Sequence, residues 1–282
     1  NISIVHNAIP HEKRFGDEIL STFYLKQQHG FVTMSETVKN DLKKLLPNPI
    51  TMLRPHPLYA QFGEPKNKEA ARMKFEVKEG QKVLLFFGFI RKYKGLHMAI
   101  EAFSEVVKSR DDVSFLICGE EFWTTLDPNK WTTKLKNVLF IGLKRILLSK
   151  GSDERNYRPL ERIKALSIED RTVVINTFIP NEDVHKYFQV ADSSILFYET
   201  ATPSGVESLT YNFELPILAT HVGHFPETIK DGYNGYLADA ANTESMAQIM
   251  LKSIDQPIER KHVRKAAEKM SWTNYVQAIL KN

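Results

Sequence analysis

Two glutamates with seven residues between them, Glu199 and Glu207, flank the small-residue loop Thr200-Ala-Thr-Pro-Ser204. The run Ile195-Leu-Phe-Tyr198 before the loop reads as a buried strand, and Gly205–Phe213 after it reads as a helix. In open parallel sheets, ligands bind beyond the carboxyl ends of the strands. The first-turn amides of Gly205, Val206 and Glu207, with the helix dipole behind them, suit an anion such as a diphosphate. Glu207 has a second reading, because Ser204-x-x-Glu207 is also the spacing of a helix capping box. Glu199 closes an apolar strand, where a carboxylate needs a partner.

A second cluster, Phe86-Phe-Gly-Phe-Ile-Arg-Lys-Tyr-Lys-Gly-Leu96, repeats the strand, glycine turn and helix, now with Arg91 and Lys94 in the turn. These cations could grip a diphosphate as it leaves; a solvated charged loop is the alternative. Near the start, His6, His11 and Glu12 follow a strand over Ile2–His6, but no third ligand stands close enough in sequence for a zinc site. The loop Val222-Gly-His-Phe-Pro-Glu227 brings a further carboxylate to a strand end, with Pro226 suited to the first position of a short helix. The sequence contains no G-x-G-x-x-G, Walker loop, H-E-x-x-H or D-x-D. Phosphate binding would therefore rest on backbone amides and cationic side chains.

The elements that must position these residues alternate along the chain. Strands are predicted at Ile2–His6, Phe31–Met34, Ile50–Leu53, Val83–Phe87, Val113–Cys118, Thr172–Asn176, Ser194–Tyr198 and Pro216–Thr220. Helices are predicted at Asp17–Gln28, Ser35–Leu46, Leu96–Val107, Asn181–Val190 and Gly205–Phe213, with Ser35 and Asn181 as caps, and Glu244–Leu280 reads as wholly helical with Ser271 capping its last helix. Near-continuous apolar strands, each followed by a helix, indicate an α/β fold with parallel sheets covered on both faces. Five prolines between Leu46 and Lys68 mark a connection between domains. The stretch from Glu121 to Asp170 breaks the alternation, and within it Lys134–Lys150 forms a basic amphipathic pattern that would pack on the core or lie on an anionic membrane.

Of 282 residues, 38 are Lys or Arg and 34 are Asp or Glu, a formal charge of +4. With 42% hydrophobic residues this is an ordinary globular composition without the massed basic face of a nucleic-acid binder. A single cysteine, Cys118, excludes an intramolecular disulfide framework and a cysteine-based zinc site. No apolar run reaches the ~18 residues of a membrane span, and a cytoplasmic setting is expected, at most peripheral at the inner face of the membrane.

In this order the motifs resemble the retaining glycosyltransferases of family four. Glu199 and Glu207 match that family's E-x7-E motif, Gly88 to Gly95 resembles its G-x5-K-G loop, and Val222–Glu227 followed by Asp231-Gly-Tyr-Asn-Gly235 resembles its V-G-G-x-P-E…D-G-x-x-G signature. The departures are Arg91, three places after Gly88, and His224, where the pattern has glycine. The resemblance implies a GT-B-like fold: residues 1–62 as the tail of a truncated Rossmann-like acceptor domain, 63–268 as a complete Rossmann-like donor domain with an insertion at 122–168, and 269–282 as a helix returning to the first. It implies a fragment of a longer chain.

The resemblance further implies that Glu207 binds the ribose of a nucleotide sugar and that Glu199 sits by the transferred sugar. Arg91 and Lys94 would neutralise the diphosphate, and His6 would project toward the sugar. Gly88, Thr202, Ser204, Gly205 and Val206 would line the donor site, with Phe178 and Ile179 at the base. The implied activity is metal-independent sugar transfer with retention, from a nucleotide sugar to a saccharide or lipid-linked acceptor, without a cofactor. A non-catalytic nucleotide-sugar-binding module and an epimerase or phosphorylase of the same architecture are the alternatives.

Overall fold

A computed structural model describes residues 1–10, 16–63, 68–74, 77–121 and 157–280. His11, Glu12 and the basic stretch Lys134–Lys150 lie outside the described residues. The chain builds two parallel sheets. In the first, β1 (Ile2–Val5), β2 (Gly30–Thr33) and β3 (Thr51–Leu53) pair in that order, linked by α1 (Asp17–Leu25) and α2 (Glu36–Leu45).

The second sheet contains β4 (Lys82–Phe87), β5 (Val113–Cys118), β6 (Thr172–Ile175), β7 (Ser193–Leu196), β8 (Ile217–Thr220) and β9 (Gly235–Ala238). Its order is β6-β5-β4-β7-β8-β9, with every pairing parallel. The described helices around it are α3 (Lys68–Lys74), α4 (Leu96–Val106), α5 (Glu161–Ala165), α6 (Val184–Val190), α7 (Gly205–Asn212), α8 (Phe225–Thr228), α9 (Thr243–Asp255), α10 (Arg260–Ala267) and α11 (Trp272–Leu280).

The apolar runs are continuous because both sheet faces are covered. Along β4, Leu84 and Phe86 enter one core with Ile100, Phe103 and Phe115, while Val83 and Leu85 enter the opposite core with Phe188 and Phe213. Strand order places the topological switch between β4 and β7: β5 and β6 extend away on one side, β8 and β9 on the other. A crevice at the carboxyl ends of those two strands follows from that topology.

Several expectations need correction. β9 and α3 were not predicted, since Gly235-Tyr-Leu-Ala238 is too short and weakly apolar to read as a strand. Asn181 is not a cap: Pro180 to Asp183 form a turn, closed by a 2.9 Å bond from Asp183 N to the Pro180 carbonyl, and α6 begins at Val184. The predicted caps Ser35 and Ser271 do accept from the amides of Val38 and Asn274. The helical tail is interrupted near Pro257 and again at Ser271, where a short 3-10 turn separates α10 from α11. Pro226 is the second residue of α8, not the first. Of the expected insertion, Leu160, Ile163 and Ile168 pack into the same core as α4.

Gly95 fixes the approach of α4 to β7. It caps α4 in the left-handed region at φ +66°, and a Cβ there would lie 1.8 Å from the Phe197 carbonyl oxygen. Gly95→Ala should therefore cost more than about 3 kcal/mol in urea unfolding, combining left-handed strain with a backbone clash. A loss below about 1 kcal/mol would contradict this packing.

Candidate functional site

The two chemically suggestive turns meet at the switch point. Glu199 N donates to the Tyr93 carbonyl at 2.7 Å, which stitches the chain after β7 to the turn after β4. Gly88, at φ +101°, faces both Lys94 and α7: a Cβ there would lie 3.0 Å from Lys94 Nζ and 3.3 Å from Val206 Cγ2. Gly88, Lys94 and the first turn of α7 therefore border one small space. Lys94 is 8% exposed and pairs with no carboxylate among the described residues. Burial, and then the charge of Arg91, pull its pKa down to about 8. A cation so placed, beside a helix amino end, creates a positive pocket with no counter-charge among the described residues.

Ser204 caps α7, accepting from Val206 N at 3.2 Å. The Val206 amide is thus occupied, and Gly205 and Glu207 supply the first-turn amides without an intrahelical acceptor. No capping box forms, because the Glu207 carboxylate turns elsewhere. His224 Nε2 donates to its Oε2, and Thr228 Oγ1 donates to Oε1 at 2.5 Å. Glu207 is 2% exposed and His224 1%. Burial opposes charge on both groups, but their mutual attraction prevails: the Glu207 pKa is lowered and that of His224 raised. They form a buried histidine–carboxylate pair in which each favours the charged form of the other, and neither His224 nor Thr228 could be read as a partner of Glu207 from sequence.

Glu199, by contrast, is exposed at the rim, its carboxylate 3.8 Å from His97 Nε2. Burial, with Arg162 and Lys92 nearby, pulls the His97 pKa down to about 4, so that approach is not an ion pair near neutrality. Of the expected base loop, Phe178 stands 60% exposed while Ile179 joins the core beside Val184 and Phe188, so Phe178 alone of the pair is presented outward. Thr202 is half-buried in the loop before α7.

The first sheet reaches this site through His6 and Glu227, which the motifs flagged, and through His56 and Tyr59, which they did not. The His6 ring lies edge-on to that of His56, centroids 5.4 Å apart. His56 is buried, its Nδ1 2.8 Å from the Pro57 carbonyl and 2.7 Å from Ser208 Oγ on α7. Tyr59 packs so closely on Gly205 that a Cβ there would sit 2.8 Å from its ring. Glu227 of α8 crosses to α2, where its carboxylate accepts from the amides of Glu36 and Thr37 at 2.7 and 2.9 Å and from Thr37 Oγ1 at 2.6 Å. That carboxylate caps a helix and is not available as a free acid.

The D-G-x-x-G segment is structural. Buried Asn234 donates to the Thr228 carbonyl at 2.9 Å and to Tyr211 Oη at 3.1 Å, which ties the end of α8 to α7.

The sequence profile "Glycosyl transferases group 1" matches residues 67–270. The chain belongs to this family. Among curated relatives, spore coat protein SA of Bacillus subtilis is 20% identical over 222 residues, 78% of this chain and 51% of that protein. N-acetyl-alpha-D-glucosaminyl L-malate synthase of Bacillus anthracis is 22% identical over 199 residues, 70% of this chain and 42% of that protein. The chain thus spans about half the length of the curated relatives it matches.

Among solved structures, Anabaena HepE in complex with UDP and glucose superposes with a TM-score of 0.75, at 13% identity, over 99% of this chain and 70% of that one. The glycosyltransferase fold is of GT-B type, and the six-stranded unit is its C-terminal Rossmann-like domain.

An uncompensated buried cation should betray itself in stability. Lys94 has its pKa lowered from 10.5 to about 8, so the empty folded chain loses that proton before the unfolded chain does. Stability from this group rises with pH between those values. Lys94→Met should stabilise the unliganded chain at pH 7 by about 1–3 kcal/mol, a gain that fades between pH 8 and 10.5. Urea unfolding across that range checks it; destabilisation at pH 7 would contradict the assignment.

Proposed function

We propose that this chain is the donor-binding part of a retaining, metal-independent glycosyltransferase of family four that takes its sugar from a nucleotide sugar. The observation that carries this reading is the buried Lys94 ammonium, without a carboxylate partner among the described residues, beside Gly88 and the amino end of α7. A diphosphate is the ligand whose charge and size suit that place. Arg91 from the same turn adds positive charge. Together these groups stabilise the departing diphosphate electrostatically, the task a divalent ion performs elsewhere, and the sequence has no D-x-D to hold such an ion.

The remaining roles are those the family resemblance implies. Glu207 takes the ribose hydroxyls, and Phe178 faces the base. Glu199 at the open rim meets the hydroxyls of the transferred sugar, with His6 approaching from the first sheet. As the anomeric C–O bond loosens, its electron pair stays on the phosphate oxygen, and a saccharide or lipid-linked hydroxyl bonds to the same face while its proton passes to that departing phosphate oxygen. That HepE is described with UDP and glucose supports a nucleotide-sugar donor here.

UDP, GDP or ADP at a hundredfold excess over its Kd should stabilise the chain by about 2.7 kcal/mol, read as a rise in melting temperature that Lys94→Ala removes. Glu199→Ala should retain diphosphate binding but slow release of radiolabelled sugar from the matching donor by roughly a hundredfold. No thermal shift with any diphosphate would contradict the proposal.

A further inference from the structure

Glu207 is held more tightly than a ligand-binding carboxylate needs to be. An ionised carboxylate offers about four acceptor positions, and here His224 and Thr228 take one on each oxygen. The remaining positions would suit the two hydroxyls of a vicinal diol. Yet the side chain is almost wholly covered, and the His224 ring bonded to it is itself 1% exposed. The ring is well bonded on one side only: its Nδ1 is buried and forms no hydrogen bond of good geometry, the Ala201 carbonyl giving it a contact that favours the charged ring. Withdrawal toward water or a bound anion would satisfy that atom while exposing Glu207.

We propose that the His224 imidazole is a latch on the donor pocket: it holds and covers Glu207, and a nucleoside diphosphate engages that carboxylate only when the ring withdraws. The proposal rests on the reading of Glu207 as the ribose contact. His224 is a positioning residue acting through Glu207. It occupies a place where Ala would fit the backbone without strain, since its φ is −83° and its ψ −11°.

Of the groups around the pair, His224 is the histidine whose pKa is raised rather than lowered. Glu227, on the same short helix, adds negative charge beside His224 but is bound to the amides of α2. His56, from the segment after β3, faces Glu207, and His6 lies behind it; burial lowers both, so they are neutral near pH 7. Tyr198, after β7, and Tyr211, on α7, are pushed upward by burial and stay neutral. The His224 pKa is raised above 6.5 by Glu207. Its charged form grips the carboxylate harder, so the latch is tightest below its titration and loosens as pH rises through it. Lys94, near the diphosphate, loses its own charge toward pH 8 in every variant; the ratio of variant to wild-type affinity removes that contribution.

The test is calorimetric titration of the chain, wild type and His224→Ala, with UDP, GDP and ADP and with the 2′-deoxy counterpart of whichever binds. His224→Ala should tighten the ribonucleotide about tenfold near pH 6, with the advantage shrinking as the pH rises. The gain should be smaller for the 2′-deoxy form, which offers Glu207 only one ring hydroxyl. His224→Gln keeps an amide donor without a titrating group, so its affinity ratio to His224→Ala should be independent of pH. Binding by wild type that matches or exceeds that of a folded His224→Ala, or an equal gain for ribose and deoxyribose, overturns the latch. If His224→Ala does not fold, a His224→Gln profile that keeps the wild-type pH dependence relative to Lys94 overturns it instead. Absence of binding by every form would remove the nucleotide reading itself, a result distinct from binding without a His224 effect.

Discussion

A positive charge is buried where no carboxylate among the described residues balances it. Lys94 stands against Gly88 and the first turn of α7, so an ammonium and a helix amino end of the same sign share one space. In the empty protein this arrangement costs free energy. The surrounding architecture enforces it: the left-handed Gly95 drives the turn onto β7, the Tyr93–Glu199 bond fastens the two strand-end turns, and the β4–β7 switch leaves the crevice between them. An arriving anion offsets that cost, which is how a fold can hold an anion site ready before its ligand arrives.

One short helix links this pocket to the rest of the molecule. Within α8 and the residue before it, His224 and Thr228 hold Glu207 while Glu227 caps α2 of the first sheet. Further contacts span the same junction: His56 and Tyr59 on α7, Leu58 N bonded to the Met270 carbonyl at 2.9 Å, and Tyr275 of α11 packed with Val32 and Met34. A change at Glu207 is therefore one helix turn from the contact between the two sheets.

Much of this was legible in the residue order. Strands such as Val113–Cys118 and the two strand-end turns are encoded locally, by unbroken apolar runs followed by glycine and charge, and the structure keeps them within a residue or two. That Lys94 and the first turn of α7 share a site was implied by the family resemblance rather than by spacing. What stayed hidden depends on contacts between distant segments. Glu207 fits a capping box equally well by spacing, and only the arrival of His224 and Thr228 from another loop decides against it. Phe178 and Ile179 are alike in sequence, yet one faces out and the other fills the core under α6. His56 sits among prolines with no pattern around it, and β9 is too short to declare itself without its partner β8.

The most direct measurement of the central claim is proton uptake on binding. Titration of the chain with UDP, GDP and ADP at pH 8.5, in two buffers of different ionisation enthalpy, counts the protons taken up per diphosphate bound. A diphosphate seated against Lys94 must raise the pKa of that amine above its value of about 8 in the empty pocket, so a substantial fraction of one proton should be absorbed, and Lys94→Met should absorb none. Binding with no proton uptake, or equal uptake by Lys94→Met, would show that the buried amine is not where the anion goes.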